Sequence, residues 1–417
     1  MRVSSTKKIR FSVIACLVAL GLSSQGKAQT VPNPLPPIST EADRPDITAT
    51  DPNDSEVRLG RENSILNDKQ VKLLTDPQMV ARVNRIGREI AVIANKQVVP
   101  SLWGNSQIKP FDYTFKIVDD KDVNAYSLPG GFIYVNKGLL DMVRSDDELA
   151  GVLAHEVAHA AHHHMIKLLK EQNKLNKVLL PLQLAALAMI IGGQSGGNGR
   201  GTNDAANLMT GLNLYSIARL NSYGVEAEKD ADHTGMIYLT KTKYNPVGLY
   251  SFMIRLAKLE RSHNGIDLGI YRTHPPGVER VAAAEAELSL LKIPIALGEV
   301  DPTLRTNVFL TKTEAGTEIA EVKMRDVVMC RVIGTDSMNA EQRGATISKR
   351  LNSLLDSNLQ PFEIRASRDN TVTLVRGTSL LTQADALAQK ITVAEMTQKL
   401  AEAVVRVKQK RAIDTGL

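Results

Sequence analysis

Residues 150–165 read AGVLAHEVAHAAHHHM, and five of the chain's eight histidines fall there, at 155, 159, 162, 163 and 164. On an α-helix each residue advances about 100°, so His155 and His159 lie about 40° apart, one turn along the same face. Two imidazoles so placed can bind one cation from the same side. His162 faces roughly the same way, and His159 with His163 makes a second pair at the same spacing. Only the first pair has a carboxylate directly after its leading histidine, Glu156. His-Glu-x-x-His is what a zinc hydrolase needs: two neutral imidazoles fix the ion, and the glutamate takes a proton from a water that the ion has acidified. The same residues also admit a plainer reading, as histidines on a solvated helix face beside a surface glutamate. A third ligand has to decide between them.

A catalytic zinc takes three protein ligands and leaves one position open. In one large class the third ligand is a histidine six residues after the second, with a glycine between. Here those positions hold Met165 and His162, which excludes that class. The other common source is a glutamate on a later helix, and VEAEKDADHTGMIYL (225–239) supplies one. Glu228 and Asp232 are four apart and share a helix face. Glu228 can reach a metal while Asp232 accepts the ring N–H of a ligand histidine, fixing its tautomer. The alternative is an acidic solvated face, since Glu226 and Asp230 show that the segment has acids to spare.

The chain's length of 417 residues suggests two or three domains. Its start, MRVSSTKKIRFSVIACLVALGLSSQGKAQT, has the three parts of a secretory signal: a basic stretch, an apolar run from Phe11 to Leu22, and a small-residue exit after Ala28. The run is too short to span a bilayer as a helix. Removing residues 1–28 takes away five basic residues and no acids, so the net charge falls from +6 to +1. No basic patch remains to suggest nucleic acid as a partner. Cys16 leaves with the signal, and Cys330 alone cannot form an internal disulfide, so a packed core must hold the chain together.

Residues 29–54 are rich in proline and read as an extended leader. In DPQMVARVNRIGREIAVIA, Val80, Val83, Ile86, Ile90 and Ile93 recur at helical steps. YTFKIV (113–118) and GFIYVN (131–136) read as strands, separated by NAYSLPG with its turn residues. Ser145 to Glu148 makes a capping box that opens the helix of the histidines. The apolar run 178–193 contains Pro181 and Gln183 and is short for a membrane span. It reads as a buried helix or lid, or as a contact for a membrane surface or hydrophobic partner. Beyond Pro294 the character changes. RDVVMCRVIG reads as a strand, NAEQRGATISKRLNSLLD as a helix, FEIRAS and TVTLVRG as a hairpin, and Thr392 to Glu395 as the capping box of a closing helix.

Six motifs in order resemble the zinc metallopeptidase family of the CAAX prenyl protease, the HtpX heat-shock protease and the mitochondrial Oma-type protease. They are EVRLGR, DPQMVARVNRIG, VNAYSLPGGFIYVNKGLL, DDELAGVLAHEVAHAAHHH, EAEKDAD and YRTHPPGVER. The chain is most similar to the soluble periplasmic members. The resemblance implies an α+β fold with a mainly helical, zincin-like (gluzincin) domain over 55–290 that contains a small antiparallel sheet. A linker (291–315) and a small α+β accessory domain (316–412) follow. It also implies one zinc ion held by His155, His159 and Glu228, with Glu156 as general base and Asp232 beside the ligands. His274 matches a histidine that in some periplasmic relatives approaches the zinc and closes the site. NAYSLPGG matches an edge strand against which substrate lies, so Asn124 and Ala125 are candidates to bind an extended peptide. His162, His163, His164 and His233 are read as non-ligands. The family's usual Ser-Arg before the glutamate ligand is replaced by Gly224 and Val225, and the glutamate two residues after it is Asp230. The implied function is a zinc endopeptidase of the periplasm of a Gram-negative bacterium, acting on unfolded or misassembled envelope proteins. The alternative is a chaperone-like assembly factor that uses the same fold mainly for binding.

Overall fold

The computed structural model describes residues 50–175, 223–262, 268–274, 277–313 and 316–415. The expected signal segment, most of the leader and the 178–193 run lie outside the described residues. Helix α1 (Ser55–Gln70) is capped by Asp54, whose carboxylate accepts the Glu56 and Val57 N–H groups. Helix α2 (Pro77–Ala94) is capped by Asp76 and starts on a proline, a residue pre-set for the first helical position. Its Val83, Ile86 and Ile90 are fully buried.

Strands β1 (Leu73–Leu74), β2 (Thr114–Val118), β3 (Ala125–Leu128) and β4 (Phe132–Asn136) form one sheet in the order β1-β2-β4-β3. The sheet is mixed rather than purely antiparallel, because β2 and β4 run parallel. The Pro129-Gly130-Gly131 turn, with both glycines at positive φ, folds β3 back onto β4 as an antiparallel pair. β3 thereby occupies one edge of β4 and becomes the sheet margin, leaving the other edge of β4 for β2.

Eight helices follow the sheet in the first part of the described chain: α3 (Lys137–Met142), α4 (Asp146–Ala161), α5 (His164–Leu175), α6 (Val225–Leu239), α7 (Val247–Ser262), α8 (Gly269–Thr273), α9 (Val278–Leu290) and α10 (Leu297–Val300). Every residue of α4 from Glu148 to Ala160 is buried, including the polar Glu148, His155, Glu156 and His159, so these four must find their partners inside the protein. It is enclosed by α2, α6, α7 and β3. Two glycines let α7 approach it. A Cβ on Gly151 would lie 2.6 Å from Leu249 Cα, and one on Gly248 would lie 2.3 Å from the Asp147 carbonyl oxygen. The capping box at Ser145 forms only in half. Ser145 Oγ accepts the Glu148 N–H, but the Glu148 carboxylate accepts the Arg144 N–H instead, and also binds Ser251 and Arg255. Burial forces this choice, because the acid must meet the Arg255 cation inside.

The stretch 291–315 carries α10, a 3-10 turn (Pro302–Leu304) and strand β5 (Asn307–Lys312). β5 pairs with β6 (Glu318–Met324), which pairs with β7 (Val327–Ile333). Helix α11 (Ala340–Asp356) begins with a capping box at Asn339. Strands β8 (Ile364–Ala366), β9 (Val372–Val375) and β10 (Thr378–Thr382) form a second antiparallel sheet. Helix α12 (Gln383–Ala388) follows it, and α13 (Val393–Thr415) closes the chain, opened by the reciprocal Thr392–Glu395 bonds. These elements share a core of their own, including Val322, Met329, Leu351 and Leu400. An ion pair from Arg144 to Asp301 (2.5 Å) ties it to the first part. Among the described residues no helix is long and apolar enough to cross a membrane.

Candidate metal centre

Helix α4 presents His155 and His159 one turn apart, and their Nε2 atoms lie 3.0 Å from each other. Helix α6 crosses α4 and brings up Glu228, whose carboxylate oxygens stand 3.4 Å from each of those nitrogens. His274, at the end of α8, completes the cluster: its Nδ1 lies 3.0 Å from Glu228 Oε1 and 3.3 Å from His155 Nε2. All four side chains are buried, and their donor atoms lie within 4.8 Å of one another.

The donor set fits a zinc ion. Tetrahedral coordination at about 2.0–2.1 Å places donors roughly 3.3–3.4 Å apart, close to the separations found. The charge also fits. Burial disfavours a proton on either ring, yet the Asp232 and Glu228 carboxylates override it at His155 and push that imidazole up to about 10. At His159 burial prevails and pulls the ring well below its ordinary 6.5. Burial likewise opposes charge on Glu228, but His274, Arg280 and the two histidines hold it well below the ordinary carboxylate range. The cluster retains positive charge among its donors, which a divalent ion can supply.

Two supports surround the cluster. Asp232 Oδ1 lies 2.9 Å from His155 Nδ1, and its other partner is Arg280 on α9, whose guanidinium donates to both Asp232 oxygens at 2.8 Å. Arg280 also stands 2.7 Å from Glu228 Oε2. Sequence reasoning missed Arg280, although it lies in the quoted YRTHPPGVER motif. Two buried acids on one helix face demand a buried cation, and the absent Ser-Arg at Gly224 and Val225 was the signal to look for one elsewhere. Tyr223, also missed, stacks on His159 with ring centroids 4.1 Å apart.

Glu156 points to the same place. Its Oε1 lies 3.3 Å from His274 Nε2, and its Oε2 is buried with no hydrogen-bond partner among the described residues. Beside it a small cavity of about 40 Å³ is lined mostly by apolar groups, among them Leu249, Phe252, Met253 and Ile270. Just before β3, the Asn124 carbonyl already accepts from the Asn136 N–H, and its side chain accepts from Thr273. Antiparallel alternation then turns the backbone groups of Ala125 and Ser127 away from β4, on a strand whose four residues are all buried.

The four other histidines among the described residues point away from the cluster centre. His162 Nδ1 and His164 Nε2 both lie 2.8 Å from Asp230 Oδ2. His163 Nδ1 lies 2.8 Å from Glu56 Oε2. His233 Nδ1 lies 3.1 Å from Glu287.

Comparison with known proteins agrees with this geometry. The sequence profile of peptidase family M48 matches residues 89–288, a span that contains the whole cluster. A putative beta-barrel assembly-enhancing protease of Vibrio cholerae is 25% identical over 268 residues, covering 64% of this chain and 50% of that protein. Metalloprotease LoiP of Escherichia coli (strain K12) is 28% identical over 224 residues, 52% of this chain and 79% of that protein. Mitochondrial metalloendopeptidase OMA1 of Schizosaccharomyces pombe is 25% identical over 189 residues, 45% of this chain and 50% of that protein. The chain thus spans about half the length of the beta-barrel assembly-enhancing proteases it matches.

Proposed function

The chain belongs to peptidase family M48, and from that premise we propose that it is a zinc-dependent endopeptidase of the cell envelope. The observation that carries this reading is the convergence of His155, His159 and Glu228 from two crossing helices, beside a buried Glu156 oxygen with no hydrogen-bond partner among the described residues. Those three side chains would hold one zinc ion per chain. When bound, the ion supplies a Lewis acid that polarises a peptide carbonyl and acidifies water. Glu156 Oε2 takes a proton from the attacking water and returns it to the leaving amine. Asp232 holds the His155 ring through Nδ1, and Arg280 neutralises Asp232 and Glu228. An extended substrate lies along the β3 edge and uses the backbone of Ala125, while the cavity at Phe252 and Met253 takes an apolar side chain.

Substrates are unfolded or misassembled envelope proteins, and the chain works in the periplasm of a Gram-negative bacterium. The export signal read at residues 1–28 and the similarity to beta-barrel assembly-enhancing proteases support this setting. Residues 55–290 do the chemistry and 316–412 serve as an accessory domain. The test compares zinc content and casein cleavage in wild type and Glu156→Gln. Cleavage should fall by several orders of magnitude with zinc content unchanged, and a fully active variant would refute the mechanism.

The position of His274 favours a second reading, in which the site rests closed and the protein works largely by binding. His274 stands where a fourth ligand belongs, the position that water and substrate require. A Glu156→Gln protein that rescues a deletion strain as well as wild type would decide for binding.

A further inference from the structure

Once Nε2 of His159 faces the donor cluster, its other ring nitrogen needs a partner. That atom, Nδ1, lies 2.9 Å from Nδ1 of His164, and the far nitrogen of His164, Nε2, lies 2.8 Å from Asp230 Oδ2. His155 meets a carboxylate directly, whereas His159 meets one only through a second imidazole. A neutral imidazole carries one N–H and one lone pair, so the proton positions along this line have a single solution. His159 must keep the Nε2 lone pair for the ion, so its Nδ1 carries the proton and donates to the lone pair of His164 Nδ1. His164 is then protonated at Nε2 and donates to Asp230.

We propose that His164 is a positioning residue of the metal centre, which together with Asp230 locks His159 in the tautomer that turns Nε2 toward the ion. The proposal rests on reading His155, His159 and Glu228 as metal ligands. The backbone is built for it. On one continuous helix His164 would stand about 140° around from His159. Instead α4 ends at Ala161, His163 takes a left-handed φ of 55°, and α5 starts at His164, which folds that ring back onto His159. His163 is secured in this conformation by Glu56 and by the Gln107 carbonyl.

Asp230 is anchored from four directions. Its Oδ1 accepts the Leu102 N–H (2.7 Å), and its Oδ2 meets Ser101 Oγ, His162 Nδ1 and His164 Nε2, each at 2.8 Å. Asp230 and His164 are both 0% exposed. His162, His164 and Asp230 are also close enough to hold a cation of their own. Oδ2 already meets three donors, however, more than its two lone pairs, so a cation there would have to displace them.

The experiment titrates zinc and cobalt into the metal-free full-length protein, comparing wild type with His164→Phe, His164→Asn and Asp230→Asn. Wild type should bind one ion. His164→Phe should lose roughly 10–100-fold in zinc affinity, the range for removing such a support, and its cobalt spectrum should change. His164→Asn keeps an oxygen near the Nδ1 position and should recover much of that loss. Nitrogen NMR of the wild-type imidazoles should show His159 protonated at Nδ1 and His164 at Nε2. This reading survives even where His164→Phe fails to fold. Wild-type affinity and cobalt spectrum in a folded His164→Phe would overturn the proposal, as would a His164 protonated at Nδ1. A second equivalent of metal that disappears in Asp230→Asn would overturn it too. Wild type that binds no ion, or Glu228→Ala that binds as well as wild type, would instead sink the metal-ligand reading beneath it.

Discussion

Arg280 bridges Glu228 and Asp232, and all three side chains are buried. Removing one partner of a buried ion pair leaves the other charge stranded, a loss of about 3–5 kcal/mol. Arg280→Met should therefore lower the urea stability of the metal-free protein by that order. Bound zinc should restore part of the loss, since the ion can neutralise Glu228 in its place. His274 makes a separate prediction at this scale. In the proposed closed state, His274→Ala frees the fourth position, so casein cleavage should rise with zinc content unchanged. A fall would mean that His274 serves the reaction instead.

The crossing of α4 and α7 sets where the His155–His159 face of α4 lies. Gly151 and Gly248 allow backbone to approach backbone, as their missing Cβ atoms show. Alanine is the better helix former by about 1 kcal/mol, so on propensity alone Gly151→Ala would stabilise. The added Cβ meets the Leu249 main chain, which cannot swing aside like a flexible side-chain tip. Gly151→Ala should thus cost about 1–3 kcal/mol, the usual range for overpacking, as read from its denaturation midpoint. A stabilised variant would mean that α7 shifts freely.

The first part of the molecule and the C-terminal elements have separate cores, linked at points such as Arg144–Asp301. A ligand that binds only the native state raises stability by about 2.7 kcal/mol at one hundred times its Kd. Zinc should therefore raise the melting temperature of the transition that includes α4, and a chelator should reverse the gain. The chain's one tryptophan, Trp103, stands edge-on to His164 at 5.3 Å, so its fluorescence reports on that transition. Glu228→Ala should show no response to zinc.

Some of this could be read from the sequence, because spacing within one helix is fixed by the helix. The His155–His159 face, the Glu228–Asp232 face and the apolar ridge of α2 all follow from 3.6 residues per turn. The capped start of α13 follows as directly from its Thr-to-Glu spacing. Helix α1 was not legible, because beyond Val57 its buried face is Gly60, Asn63, Ser64 and Asn67, which carries no apolar period. Only the tertiary structure decided which partners meet across elements. It brought Arg280 to two acids some fifty residues earlier in the chain, and set His274 among the donors. It also broke the helix at His163, so that His164 faces His159 rather than the opposite side. Periodicity measures angles around a single axis. It says nothing about how several axes cross, and the charge and hydrogen-bond balance of a buried site is settled at those crossings.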